Sequence, residues 1–464
     1  MDKFLFVLGS NWRLSIAELD TVLQNSKYLG RIVDYSANIA VVEFETLHEE
    51  KYFVDELMEL QFILGGCQKI AKIYDFINIS TINFAFPSKL EKYHQVETAR
   101  DKILNDLNKV LDEIFPKIEN EKLFFAVSIY PNFFDEEYYS KVLVKHFLQF
   151  LNKEIVVLLK QKGAKKCIYY MYPEKNVQSG FLNPIFPHNV IRYELLKANR
   201  AEIIFGFTEE GVYIARTFTT DDPNFKKKID EEKPFKAHEF GISPKLSLIM
   251  LNFLNLFENR NNKKILDPFV GNGSIILMGI LQEFQVYGSD INENKVSNTL
   301  RNIRWLSREF EEPLPPLLNQ RIRTIDVRQL SSFFQPNFFD GIITEPYLGP
   351  PFKEQPNYVR AKELVESELE PLYDVLFREI CQVLKKNGRI CTISPIISTT
   401  EGKDVQLDLN KIAEKYEFKA IPMIDTNRII NKSNIKLQFP KYQKNLIDVK
   451  KGQILKRKIY VFQK

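Results

Sequence analysis

Lys264–Ile276 reads KILDPFVGNGSII, and this stretch decides the fold of the C-terminal half. An apolar run ends in Asp267, turns through Gly271-Asn272-Gly273 and enters an apolar helix at Ser274. Two glycines let the backbone turn sharply and approach a ligand with no side chain in the way. A strand feeding such a turn and then a helix is how open α/β sheets build a nucleotide-like cofactor site. Outward from it, VYGSD (Val286–Asp290) supplies a second strand ending in an acid, where a carboxylate grips the two hydroxyls of a ribose. Phe339–Thr344 is a third strand, running into Glu345-Pro346-Tyr347-Leu348-Gly349-Pro350-Pro351. Strand and helix patterns alternate from Ile265 to Ser394, which predicts a parallel sheet with helices on both faces. RKIYVFQK (Arg457–Lys464) reads as one more strand, antiparallel at the sheet edge.

The residues at these strand ends choose the cofactor. A dinucleotide site wants G-x-G-x-x-G with a pyrophosphate on the helix N-terminus. Here Ile276 stands at the third glycine position and Asp267 ends the strand. A carboxylate repels a pyrophosphate but suits the amino and sulfonium groups of S-adenosylmethionine, which is the cofactor expected. Asp267, Phe269, Gly271, Gly273 and Ser274 would line the turn, with Asp290 and Ile291 at the ribose. Asp326 and Val327, closing RIRTIDV, would face the adenine. The fourth strand end, Thr344-Glu345-Pro346-Tyr347, sits where the reacting group is delivered. An exocyclic amine on a base is a poor nucleophile because its lone pair is delocalised into the ring. A side-chain oxygen and a proline carbonyl can accept its hydrogens, and an aromatic ring can stack on the extruded base.

The rest of the composition excludes more than it specifies. A length of 464 residues predicts two to four domains. A net charge of +4 offers no global attraction for nucleic acid, so any basic surface is local. Cys67, Cys167, Cys381 and Cys391 form no CxxC pair, which fits a reducing, cytoplasmic setting without zinc. His48, His94, His146, His188 and His238 lie far apart, and methyl transfer from a sulfonium needs no metal. The apolar run in MDKFLFVLGSNW is too short for a signal peptide or a membrane span, so a soluble chain is expected.

In the N-terminal half, Phe4–Leu8 reads as a strand, and Ser15-x-x-Glu18 as a capping box opening a helix. With two strands in Ile32–Phe44 this predicts a small α/β unit over residues 1–65. A second unit, 66–218, contains the strand-like runs Lys69–Phe76, Leu123–Ile129, Cys167–Met171, Ala201–Phe207 and Val212–Phe218. Its helices are Glu91–Ile114 and Tyr138–Lys162, the latter stopped by Gly163. Lys160, Lys162, Lys165 and Lys166 cluster at that helix end. Such lysines ordinarily complement the helix dipole, and alternatively contact phosphates. Residues 219–240, polar and dense in charge, read as a linker to a domain over 241–464.

Several stretches in order along the chain resemble one family. FVLGSNWRLSIAEL (Phe6–Leu19), LGGCQKIAKI (Leu64–Ile73), EEKPFKAHEFGISPKLSLIMLNF (Glu231–Phe253), DPFVGNGSIIL and TEPYLGPP look like the tRNA guanosine-N2 methyltransferases that carry a THUMP domain. The resemblance implies an N-terminal ferredoxin-like domain, an α+β RNA-binding THUMP domain and a Rossmann-like class I methyltransferase domain. It further implies tRNA as partner and methylation of the guanosine amine at position ten. A monomer is expected, with room for a small activating subunit. One departure stands out. The family's fourth motif is Asp-Pro-Pro-Tyr, whereas here Thr344 falls at the acid's place and Glu345 at the first proline. DNA adenine-N6 methylation uses the same acid-proline-tyrosine chemistry, and a tRNA-binding protein with a degenerate fourth motif is the non-enzymatic alternative. Lys353 and Tyr358 are candidates for the wall of a base pocket.

Overall fold

The computed structural model describes residues 3–45, 53–87, 93–133, 135–171, 183–236, 241–449 and 453–464. His48 and His238 lie outside the described residues. Eight strands form the first sheet: β1 (Lys3–Leu8), β2 (Gly30–Tyr35), β3 (Ile39–Phe44), β4 (Cys67–Asn78), β5 (Lys122–Tyr130), β6 (Lys166–Tyr170), β7 (Arg200–Phe207) and β8 (Gly211–Thr220). Their order is β2-β3-β1-β4-β8-β7-β5-β6. With helices Trp12–Asn25 and Phe53–Ile63, the first four strands make the βαββαβ arrangement of a ferredoxin-like unit.

That unit takes its fourth strand from beyond residue 65, and β4 offers its other edge to β8. The boundary expected between residues 65 and 66 therefore falls inside a continuous sheet. The glycines there serve close packing rather than a domain border. A Cβ on Gly65 would lie 2.2 Å from the Lys245 carbonyl oxygen, and one on Gly66 would lie 2.8 Å from Ser15 Cα. The capping box is corrected as well. Asn11 caps the helix, accepting from the Leu14 N–H, so Ser15 and Glu18 lie inside it. Glu18 is fully buried and accepts from the Gly65 and Gly66 N–H groups at 2.8 and 2.7 Å and from Asn252 Nδ2 at 2.7 Å.

The expected linker is folded as far as it is described. Asp222 caps the Pro223–Glu231 helix. Lys226 is buried against Asp221 at 2.7 Å, and Lys233 donates to Ser274 Oγ at 3.0 Å. Charge density suggested a solvated segment, but two of its lysines have buried partners.

The second sheet contains β9 (Lys264–Asp267), β10 (Gln285–Asp290), β11 (Ile322–Thr324), β12 (Phe339–Thr344), β13 (Leu384–Ser398), β14 (Asp404–Gln406), β15 (Lys419–Ala420), β16 (Asn445–Asp448) and β17 (Leu455–Gln463). Its main path runs β11-β10-β9-β12-β13-β17-β15, parallel from β11 to β13. β17 is antiparallel, as expected, but lies between β13 and β15 rather than at the edge. The order reverses between β10 and β12 around β9, and a crevice outside the carboxyl ends of those strands is where such sheets take ligands.

The segment between β15 and β16 leaves this sheet and straps the N-terminal unit. Lys432 forms a buried ion pair with Asp34, and Tyr35 Oη donates to the Leu437 carbonyl at 3.0 Å. Glu209 accepts from the Ser433 and Asn434 N–H groups at 2.9 and 2.6 Å, and Phe439 packs edge-on against Trp12. The two sheets are thus fastened to each other.

Candidate active site

The glycine turn after β9 has the conformation its residues require. Gly271 and Gly273 have φ of +51° and +83°. A Cβ on Gly273 would meet Thr299 Cγ2 at 2.8 Å, so glycine alone fits there. Thr299 Oγ1 donates to the Gly271 carbonyl at 2.8 Å, and Asn302 Nδ2 to that of Asn272 at 2.9 Å. Sequence reading missed both supports. They lie in the Glu293–Glu309 helix and show their function only when that helix packs on the turn.

Three acids converge at the strand ends. Asp267 is buried, and its Oδ1 accepts from Thr344 Oγ1 at 2.8 Å and from the Phe269 N–H at 3.1 Å. Burial pushes its carboxyl up to about 7, the Thr344 and Phe269 hydrogen bonds pull it down, and Asp290 and Glu345 add repulsion. Asp290, at the end of β10, accepts from the Gly271 N–H at 3.0 Å and the Asn292 N–H at 2.9 Å. Both bonds orient the carboxylate beside the turn and leave lone pairs for a diol.

Beside Asp290 a cavity of about 310 Å³ is lined by Phe269, Ile291, Asp326, Val327 and Leu372 among others. It brings together four expected cofactor residues, Ile291 being 66% exposed. Both Asp326 oxygens are gripped by Arg328, at 3.0 and 2.9 Å from Nε, a pairing the sequence did not suggest. A wall of Phe269 and Ile291 beside a carboxylate suits a flat, amine-bearing ring. The glycine cradle, Asp267 and Asp290 suit a ribose joined to a cationic group, so the donor set fits S-adenosylmethionine.

Thr344 is fully buried, with its hydroxyl committed to Asp267. It supports the acid from below and does not face the next cavity, which corrects its expected place among the reacting groups. Glu345, Pro346 and Tyr347 do line that cavity, of about 580 Å³, with Phe352, Lys353 and Arg457. Tyr347 is 45% exposed there. Lys353 lies in the wall as expected, whereas Tyr358 opens the Tyr358–Leu364 helix outside it. Glu345 Oε1 accepts from Arg457 Nε at 2.5 Å, across 112 residues of sequence. Of the lysine cluster, Lys162 is held by Asp112 at 2.7 Å, and Lys166 begins β6. Among the described residues no helix is long and apolar enough to cross a membrane, and no group of three His, Cys, Asp or Glu could hold a metal ion.

Strand order, switch-point crevice and acid-tipped strands define a class I methyltransferase fold joined to an N-terminal α+β half. The crystal structure of TrmN from Thermus thermophilus shares that fold along the whole chain, with 100% of this chain and 99% of the other covered, a TM-score of 0.50 and 13% identity. In sequence the chain is similar to the tRNA (guanine(10)-N2)-dimethyltransferase of Pyrococcus abyssi, 26% identical over 159 residues, or 32% of this chain and 44% of that protein. It is also 22% identical over 177 residues to a probable tRNA (guanine(10)-N2)-dimethyltransferase of Methanothermococcus thermolithotrophicus, covering 38% of this chain and 93% of that one. The match thus spans less than half the length of the Pyrococcus relative. No protein-family model matches the chain. The family likeness read from the motifs is borne out by these relatives.

Proposed function

We propose that this chain is an S-adenosylmethionine-dependent methyltransferase that modifies the exocyclic N2 amine of a guanosine in tRNA, at position ten. The convergence of Asp267, Asp290 and Glu345-Pro346-Tyr347 at adjoining strand ends carries the reading. When bound, the cofactor supplies an electrophilic methyl group on a sulfonium. Asp267 and the Gly271–Gly273 turn hold its amino-acid end, Asp290 its ribose, and Phe269, Ile291, Asp326 and Val327 its adenine. Glu345 and the Pro346 carbonyl accept hydrogens from the base amine, and Tyr347 stacks on the extruded ring. In the N-terminal half, a ferredoxin-like unit is followed by a THUMP-like RNA grip, with Lys160, Lys165 and Lys166 on phosphates. The setting that fits this reading is cytoplasmic, and the protein acts as a monomer.

Purified protein with labelled S-adenosylmethionine and unmodified tRNA transcripts, followed by nucleoside mass spectrometry, tests the proposal. N2-methylguanosine at one position supports it. N6-methyladenosine made on DNA points to the adenine reading. Cofactor and tRNA binding without transfer points to a non-catalytic RNA-binding protein.

Two further outcomes are expected. Cofactor affinity falls about tenfold per pH unit below about 7, because the sulfonium and amino cations prefer ionised Asp267 and protonation competes with them. Calorimetric titration between pH 5.5 and pH 8 checks the sign, and a flat profile would remove Asp267 from the cofactor site. Reversing Lys165 and Lys166 to Glu lowers tRNA affinity and flattens its dependence on log salt concentration by about 0.7–0.9 for each phosphate that the lysines no longer neutralise. An unchanged slope would remove the cluster from the RNA path.

A further inference from the structure

We infer that Arg457 is the positioning residue of the base pocket. It holds the Glu345 carboxylate as an acceptor-only group, so that the pocket selects a purine edge with two adjacent N–H donors. This deepens the reading above and rests on it. Arg457 comes from the antiparallel β17, opposite Pro395 on β13 and Asp448 on β16. Its side chain is buried, and its Nε meets Glu345 Oε1 at 2.5 Å. Among the described residues Glu345 Oε2 accepts no hydrogen bond, and the side chain lines the 580 Å³ cavity beside Tyr347. One oxygen is therefore anchored and the other is available to a ligand.

The chemistry of the edges then discriminates. An ionised carboxylate only accepts. Guanine presents N1–H beside its N2 amine, two neighbouring donors that a carboxylate can take together. Adenine presents an amine beside the N1 lone pair, which a carboxylate repels. A protonated Glu345 would donate one hydrogen bond and accept another, and would suit adenine instead. Desolvation favours that protonated form, as does nearby Asp448, while Arg457 opposes both. Asp267 and the Tyr373 hydroxyl also face Glu345, and neither brings a positive charge. Burial leaves the Glu345 carboxyl raised above its ordinary range, and Arg457 is the counter-charge that opposes its protonation. Among the described residues that line the cavity, Lys353 is the other cation.

The test uses the full chain with Arg457→Ala, Arg457→Lys and Glu345→Gln, and measures binding of GMP and AMP by fluorescence alongside the pH profile of methyl transfer to a tRNA transcript. The wild type should prefer GMP by about tenfold or more at neutral pH, the scale of one good bidentate base contact. Arg457→Ala should lose that preference at neutral pH and regain it as pH rises, with the acid limb of the activity profile displaced upward. Arg457→Lys should restore both, and Glu345→Gln should shift preference toward AMP. Should Arg457→Ala fail to fold, the lysine variant and Glu345→Gln carry the comparison. An Arg457→Ala protein with unchanged base preference and pH profile overturns the inference while tRNA methylation by the wild type still stands. A wild type that transfers no methyl group, yet shows an Arg457-dependent preference for GMP, supports this inference and removes the methyltransferase reading.

Discussion

Asp290→Ala is expected to weaken S-adenosylmethionine binding by roughly a hundredfold, or about 3 kcal/mol, the loss of charge-assisted hydrogen bonds to a diol. Two effects add. The alanine cannot meet the ribose hydroxyls, and it leaves the N–H groups of Gly271 and Asn292 without the acceptor that now shapes the turn. Asp290→Asn separates them, because an amide oxygen still accepts one backbone N–H while the negative charge is gone. Calorimetry on the three proteins should rank wild type above Asn above Ala. Equal affinity for all three, with folding unaltered, would show that β10 does not end at the cofactor.

Lys69→Ala is expected to destabilise the N-terminal half by about 3–5 kcal/mol, the cost of leaving one member of a buried ion pair behind. Lys69 on β4 donates to Glu202 on β7 and to the Ile185 carbonyl, each at 2.5 Å, with both charged side chains fully buried. Ser128 on β5 and Thr217 on β8 donate to the same carboxylate at 2.5 and 2.6 Å. Four strands meet at one acid, and removing the ammonium leaves a charge that two hydroxyls cannot offset. The melting transition should fall by roughly 10 °C for a unit of this size. Lys69→Met combined with Glu202→Gln should recover most of the loss, since a neutral pair of similar volume carries no desolvated charge. A single variant that melts with the wild type would mean water reaches Glu202.

Much of this site was legible because its signals are local. Gly271 and Gly273 announce a backbone at positive φ, and acids at strand ends announce themselves by pattern. Strand alternation was enough to predict a parallel sheet, and the likeness of TEPYLGPP to a known motif singled out Glu345, Pro346 and Tyr347, which line one cavity. Errors arose where a local rule had a distant competitor. Ser15-x-x-Glu18 fits a capping box, yet Asn11 takes the cap and Glu18 is drawn to Gly65, Gly66 and Asn252. Charges between residues 219 and 240 look solvated until Asp221 and Ser274 are seen beside Lys226 and Lys233.

By itself the sequence determined the strand-turn-helix units, their glycines and the acids that tip the strands, because dihedral preference and apolar periodicity act over a few residues. Tertiary structure alone decided that β4 joins two units into one sheet, that residues around Lys432 strap the N-terminal half, and that Thr344 lies beneath Asp267. It also decided that Arg457 reaches Glu345 across 112 positions. Pairings of this kind depend on strand order and register. Those are set by the burial of whole faces at once, and no short stretch of chain encodes them.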